Sequence, residues 1–139
     1  MARDITVAVL GMLMDDEDVI AIVDDRLYGE ELPEEECPNM PRGCVVVRRV
    51  SGFGGMGGDT EIEEGMLDVA CYGQTPFDAM RLRLAVYNAL KHTLRSVQEG
   101  TLIHSLESTA GASSLRDADF SWPLVLESWK FVASEVEAA

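Results

Sequence analysis

The spacing of apolar residues along the chain changes several times, and the changes mark its elements. Ile5, Val9, Met12 and Leu13 recur near helical spacing behind Asp4, so the chain opens with a helix capped by Asp4 and weakened by Gly11. Val19, Ile20, Ile22 and Val23 predict a second short helix, starting at Asp15 or Asp16, with acids in its first turn that suit the helix dipole. Three prolines, Pro33, Pro38 and Pro41, make 28–42 a loop, with Glu34, Glu35 and Glu36 in solvent. Then Cys44, Val45, Val46, Val47, Arg48, Arg49 and Val50 form an apolar, β-rich run. A glycine-packed stretch over 51–59 and a second strand over 60–72 complete a hairpin with an oversized tip. In the second strand Leu67, Val69 and Cys71 share one face and Asp68 and Tyr72 the other.

Thr75 as cap, Pro76 at the first helical position and Asp78 two residues later open the strongest helix signal in the chain. Phe77, Met80, Leu84, Tyr87 and Leu94 make an apolar stripe that Leu82, Val86 and Ala89 widen, and Gly100 is the natural stop. The pattern predicts a helix over 75–98 pressed on a sheet or wedged between neighbours. Weak alternation predicts a strand over 101–109, then a connection over 110–121. In the last strand, over 122–133, Trp122, Leu124 and Leu126 take one face and Val125, Trp129 and Phe131 the other. Apolar residues on both faces mean that one packs the core while the other meets a helix or a partner. Pro123 places the start of this strand at an edge. The expected fold is one α+β domain over 1–139: a mixed or antiparallel sheet of about four strands, packed by the long central helix and preceded by short N-terminal helices. The 30–42 loop, the 51–60 hairpin tip and the 134–139 tail are its expected flexible parts.

Charge adds a second layer. The 139 residues carry 25 acids against 11 Lys and Arg, a net charge of −14. Such a balance opposes non-specific binding to nucleic acid and to anionic membranes. It is uneven: 17 of the acids lie in residues 1–70, whereas 76–96 holds Arg81, Arg83, Lys91 and Arg95 against Asp78 alone. A basic helix and an acidic remainder either pair head to tail between identical subunits or are satisfied within one subunit.

The three cysteines, Cys37, Cys44 and Cys71, are odd in number and include no C-x-x-C pair, which argues against a disulfide framework or a zinc site and for a reducing compartment. Cys44 and Cys71 sit in apolar strand contexts and are expected to pack as small hydrophobes. The apolar run over 5–14 is too short to span a bilayer and leads into acids rather than a small-residue cleavage site, so it is not read as a signal peptide. The acids at 15–18 lack the alternating ligands, central glycine and closing glutamate of a calcium loop.

Tests for chemistry are negative. Gly52, Gly54 and Gly57 match G-x-G-x-x-G, but acids and a strand follow where a dinucleotide site needs a helix N-terminus. His92 falls on the predicted helix. His104 adjoins Ser105 in a strand, where neighbours face opposite sides, so adjacency makes no dyad. No nucleophile elbow or P-loop is present, and no two carboxylates are singled out as a catalytic pair. No enzyme activity, cofactor or metal is expected. Arg48 and Arg49, pointing to opposite sides of their strand, pair with Glu63, Glu64 or Asp68 across the hairpin or with a neighbouring subunit. Phe53 and Met56 on the tip either fold back or anchor a partner. With Arg81, Lys91 and Arg95 on the basic helix, these are the candidate interface residues.

The order of segments resembles a family. Val23-Asp24-Asp25-Arg26-Leu27-Tyr28 follows a helical pair. A proline-containing loop leads to Val45-Val46-Val47-Arg48-Arg49-Val50-Ser51-Gly52, then to Leu67-Asp68-Val69-Ala70-Cys71-Tyr72-Gly73, a capped helix ending near Ala89-Leu90, and Leu115-Arg116-Asp117-Ala118-Asp119 before a final strand. Over 19–132 this is similar to the tail terminator (tail completion, minor tail) proteins of long-tailed bacteriophages. The acidic 30–36 loop and the glycine-rich tip depart from that pattern. The resemblance implies an α+β subunit of a homohexameric ring without enzyme activity. The ring would cap the tube of major tail protein, stop its polymerisation and offer a docking face to the head-completion or connector protein. DNA would pass through it without specific binding. The subunit would assemble in the host cytoplasm and end in the virion tail or neck. Another neck component, a head-completion or stopper protein, and a small α+β ligand-binding or regulatory module with a pocket between helix 75–98 and the sheet are the rival expectations.

Overall fold

The computed structural model describes residues 4–51, 55–56 and 59–135. Among these residues, three α-helices pack on one face of a curled, mixed sheet. Helix α1 (Ile5–Met14) starts at Asp4, whose carboxylate accepts from the Thr6 and Val7 amides, and α2 (Glu17–Val23) starts at Asp16 in the same way. A short strand β1 (Leu27–Gly29) and a 3-10 turn over Glu34–Asn39 follow. The loop predicted over 28–42 therefore contains regular structure at both places. Nor is Glu36 solvated: it is only 5% exposed and its carboxylate takes two hydrogen bonds from Arg42, at 2.6 and 2.8 Å.

Strands β2 (Cys44–Ser51), β3 (Gly55–Met56) and β4 (Asp59–Tyr72) make the hairpin region, α3 (Pro76–Leu90) crosses the sheet, and β5 (Thr93–Gln98), β6 (Thr101–Arg116) and β7 (Pro123–Glu135) complete the chain. The strand order is β1-β2-β4-β7-β6-β5, with β3 attached to β4 and β1 alone running parallel to its neighbour. Among the described residues the sheet thus holds seven strands where about four were expected. The added strands are β1, β3 and β5, the last of them where the predicted helix ends early. The helix stops at Leu90, not near residue 98: Lys91 leaves helical geometry, His92 turns at φ 63°, and the Thr93 hydroxyl donates to the Leu90 carbonyl at 2.6 Å. Residues 93–98 form β5, and Gly100, expected as a helix stop, closes a tight β5–β6 turn with Glu99, both at positive φ. Finally β6 continues through the predicted connection as far as Arg116, with Gly111 at φ 77° inside the register shift between Ser108 and Ala112.

Pro123 misleads as well. Strand β7 lies in the middle of the sheet, between β4 and β6, not at an edge. Proline is tolerated because it occupies the first position of the strand, where its carbonyl accepts from the Gly73 amide at 3.2 Å.

Register fixes the two faces. Val45 pairs with Cys71, Val47 with Val69, and Cys71 and Leu67 with Val125 and Trp129, so these side chains share a face. All of them but Val125 join Phe131, Ala133, Ile103 and Leu106 in one core with Ile5, Val9 and Leu13 of α1, Val19 and Val23 of α2, and Leu82, Val86 and Leu90 of α3. The alternations read in the second and last strands are realised here. Gly73 lets α3 sit down on the sheet: a Cβ there would lie 2.4 Å from the Ala79 nitrogen. Cys44 and Cys71 are buried free thiols, as small hydrophobes would be.

Candidate functional site

The second sheet face carries no α-helix among the described residues. Val46, Ala70, Leu124 and Leu126, from β2, β4 and β7, floor a groove across its centre. One wall rises after β1, at Glu30, Glu31, Leu32 and Cys37. The other is the β6–β7 hairpin, at Asp117, Asp119, Phe120 and Trp122. The groove encloses about 450 Å³, within the size range of binding clefts. It lies opposite the expected place for a pocket, since α3 packs on the other face.

Local chemistry builds the hairpin wall. The Asp117 carboxylate accepts from the Asp119 and Phe120 amides at 2.9 and 2.8 Å, an Asx-type turn. Asp117 also donates its amide to the Trp122 carbonyl, and Arg116 donates to the Ser121 carbonyl, both at 2.9 Å. The fixed turn stacks the Phe120 and Trp122 rings, 4.5 Å apart and 15° from parallel, with Phe120 still 57% exposed. Acids dominate the electrostatics: five carboxylates, Glu30, Glu31, Asp68, Asp117 and Asp119, face one cation, Arg48. The Tyr72 hydroxyl in this groove is held above its ordinary pKa, first by burial and then by the negative charge of Asp117.

The helix side holds a complementary feature. The residues of α3 that enter the core are Ala79, Leu82, Val86 and Leu90. Phe77, Met80 and Leu84 lie on the opposite arc of the helix and are 71%, 40% and 53% exposed, with Arg81 among them. This corrects the predicted stripe. Two sets with the same three- and four-residue spacing run down opposite sides of α3, and the set with smaller members is the one that lets helix and sheet approach. Leu94, the last member of the expected stripe, is exposed on β5.

The candidate interface residues fall at separate places. Arg48 lines the groove as the cross-strand neighbour of Asp68. Arg49 points to the core side, where it forms an ion pair with Glu63 and lies over the Phe131 ring. That is the cross-hairpin pairing rather than an outward-facing one. Arg81 is exposed on the outer face of α3, Lys91 caps its C-terminus within 5.9 Å of the Tyr87 ring, and Arg95 is exposed on β5 at φ 52°. Phe53 lies outside the described residues; for Met56 only the backbone is described, as part of β3. Arg83, counted among the basic residues of 76–96, is committed internally to Glu127.

Among the described residues the histidines and cysteines make no nucleophile–base pair. His104 contacts the Ser134 hydroxyl at 2.9 Å rather than Ser105, and His92 lies beyond the helix end. Burial, then the charge of Glu36, pushes the Cys44 thiol up to about 11, and burial raises Cys71 further, which disfavours the nucleophilic thiolate. Among the described residues no group of three or more His, Cys, Asp or Glu is placed to hold a metal ion, and no helix is long and apolar enough to cross a membrane. Sequence reasoning found the acids and Arg48 but not the groove. Asp117, Asp119, Phe120 and Trp122 were the available signal, but 110–121 was read as a connection and Trp122 as the start of the last strand, so nothing placed them on one wall.

No family model and no curated protein matches the chain. Solved structures do. A chain from the virion of a native gene transfer agent particle superposes with a TM-score of 0.67 at 14% identity, covering 93% of both chains. The gp17 protein of bacteriophage SPP1 superposes with a TM-score of 0.53 at 16% identity, covering 89% of this chain and 84% of that one. At such identities the likeness is one of fold.

Proposed function

We propose that this protein is a structural subunit of a phage-type virion, a non-enzymatic tail terminator that closes into a ring of about six copies at the head-proximal end of the tail tube. The observation that carries the reading is the end-to-end likeness to a chain of a gene transfer agent particle, over 93% of both chains. The SPP1 likeness and the tail terminator resemblance of the sequence point the same way. The number six comes from that resemblance.

Surface chemistry supports assembly. The protein leaves large apolar side chains exposed on α3 and an acidic cleft on the far side of the sheet, features suited to protein contacts. A ring of subunits each at −14 would repel DNA passing through its lumen rather than hold it. The test is to add the purified protein to polymerising tail-tube subunits from the same particle. Capping predicts tubes of arrested length with density at one end only. Tubes that keep growing, with the protein left in solution, would overturn the terminator role. Binding to connector without effect on tubes would assign the protein to another position in the neck.

A further inference from the structure

The two surfaces singled out above lie on opposite sides of the molecule. The exposed stripe of α3 lies on the helical layer, and the groove opens on the bare sheet face. They are also complementary in chemistry. The stripe offers Phe77, Met80 and Leu84 around the cation Arg81. The groove offers an apolar floor, the stacked Phe120 and Trp122, and a rim bearing Glu31 and Asp119. Among the described residues neither surface is covered: Phe77 and Phe120 remain 71% and 57% exposed.

We infer that the groove of one copy receives the outer face of α3 from the next copy, with Phe77, Met80 and Leu84 on the apolar floor and Arg81 against the acidic rim. This rests on the ring reading and gives it a seam. Apolar anchors in a cleft supply the affinity, and opposite potentials set orientation and exclude the mating of two acidic faces. Since donor and acceptor are different patches on opposite sides, the contact is heterologous. It cannot close as a two-fold dimer, and its repetition produces a ring or a filament. The predicted pairing of a basic helix with an acidic neighbour thereby acquires definite partners. Of the four cations counted there only Arg81 lies in the seam: Glu127 holds Arg83, Lys91 follows the helix end and Arg95 stands on β5.

Two variants altered only at exposed positions test the seam. E31K/D119K reverses the rim and keeps the helix stripe. F77Q/M80Q/L84Q removes the stripe, keeps the groove and retains good helix formers. Circular dichroism and thermal melting verify that both fold. By native mass spectrometry, each alone should be monomeric at concentrations where the wild type assembles. Mixed in equal amounts they should form a one-to-one complex and stop, because only one sound stripe and one sound groove meet. If both variants assemble as the wild type does, the seam is wrong and the ring reading stands. If the variants pair one to one while the wild type forms open chains, the seam stands and the ring reading fails. A mixture that stays monomeric overturns the seam. If a variant fails to fold, the single substitutions R81Q and D119N should still each weaken wild-type assembly by tenfold or more, and unchanged assembly in both overturns the seam.

Discussion

Arg83 of α3 holds both oxygens of Glu127 in β7, at 3.0 and 2.7 Å, and so ties the helix to the central strand through a carboxylate that is 2% exposed. The Ser108 hydroxyl adds a third bond at 2.6 Å, and the Arg83 guanidinium lies 4.6 Å from the Tyr87 ring centre. A bidentate pair of this kind fixes the rotation of α3 about its own axis. That rotation decides which apolar set enters the core and which remains outside.

Removing one partner should therefore cost far more than removing both. Arg83→Met strands a buried carboxylate and is expected to lower stability by about 3–5 kcal/mol. The double variant R83M/E127L should recover most of that loss, since apolar replacement of a buried pair is often near neutral. Urea denaturation midpoints check this. A loss in the double variant equal to the summed losses of Arg83→Met and Glu127→Leu would show that the pair is not acting as a unit.

The same substitution at two glycines should have opposite signs. At Gly73 a Cβ would lie 2.4 Å from the Ala79 nitrogen and 2.9 Å from its Cα, so the start of α3 must lift off the sheet. Gly73→Ala is expected to cost roughly 1–3 kcal/mol or more. At Gly11, inside α1, the nearest atoms are 3.6 Å away on the Gln98 and Glu99 side chains. Gly11→Ala should gain about 0.4–1 kcal/mol from helix propensity and reduced unfolded-state freedom. Thermal melting of the two variants reads both signs.

Alkaline pH should destabilise the protein through Cys44. Its thiol is raised from 9.0 to about 11 in the fold, first by burial and then by the charge of Glu36. The unfolded chain thus releases this proton first. The stabilisation is complete below pH 9 and is lost as pH rises through about 11. The raised Tyr72 hydroxyl and Cys71 thiol act in the same direction. Denaturation midpoints should fall between pH 9 and about 11, with a shallower fall in Cys44→Ala. At pH 8 an alkylating reagent should modify Cys37, the least buried thiol, well before the other two.

Much of the fold was legible because local chemistry and burial agree there. Asp4 and Asp16 cap the helices that follow them, and Thr75 accepts from the Asp78 amide as a capping residue should. Leu67, Val69, Cys71, Trp129 and Phe131 alternate into the core as their spacing requires. The errors arose where one pattern fits two structures. Phe77, Met80 and Leu84 have the same spacing as Ala79, Leu82 and Val86, and periodicity alone gives no inward direction. Leu94 continued a helical stripe only until the His92 turn broke it. Pro123 signals an edge unless it stands at the first position of a strand. The groove was illegible for a different reason. Its walls come from residues 30–37 and 117–122, and only the pairing of β7 between β4 and β6 brings them to either side of one sheet face.

The central claim is that the chain is a ring-forming structural subunit, and native mass spectrometry of the unaltered protein across a concentration series tests it most directly. A closed assembly of one fixed stoichiometry, near six, that persists as concentration is raised is the expected result. A species that remains monomeric at the highest concentration, and still does so when tail-tube protein is added, would contradict it.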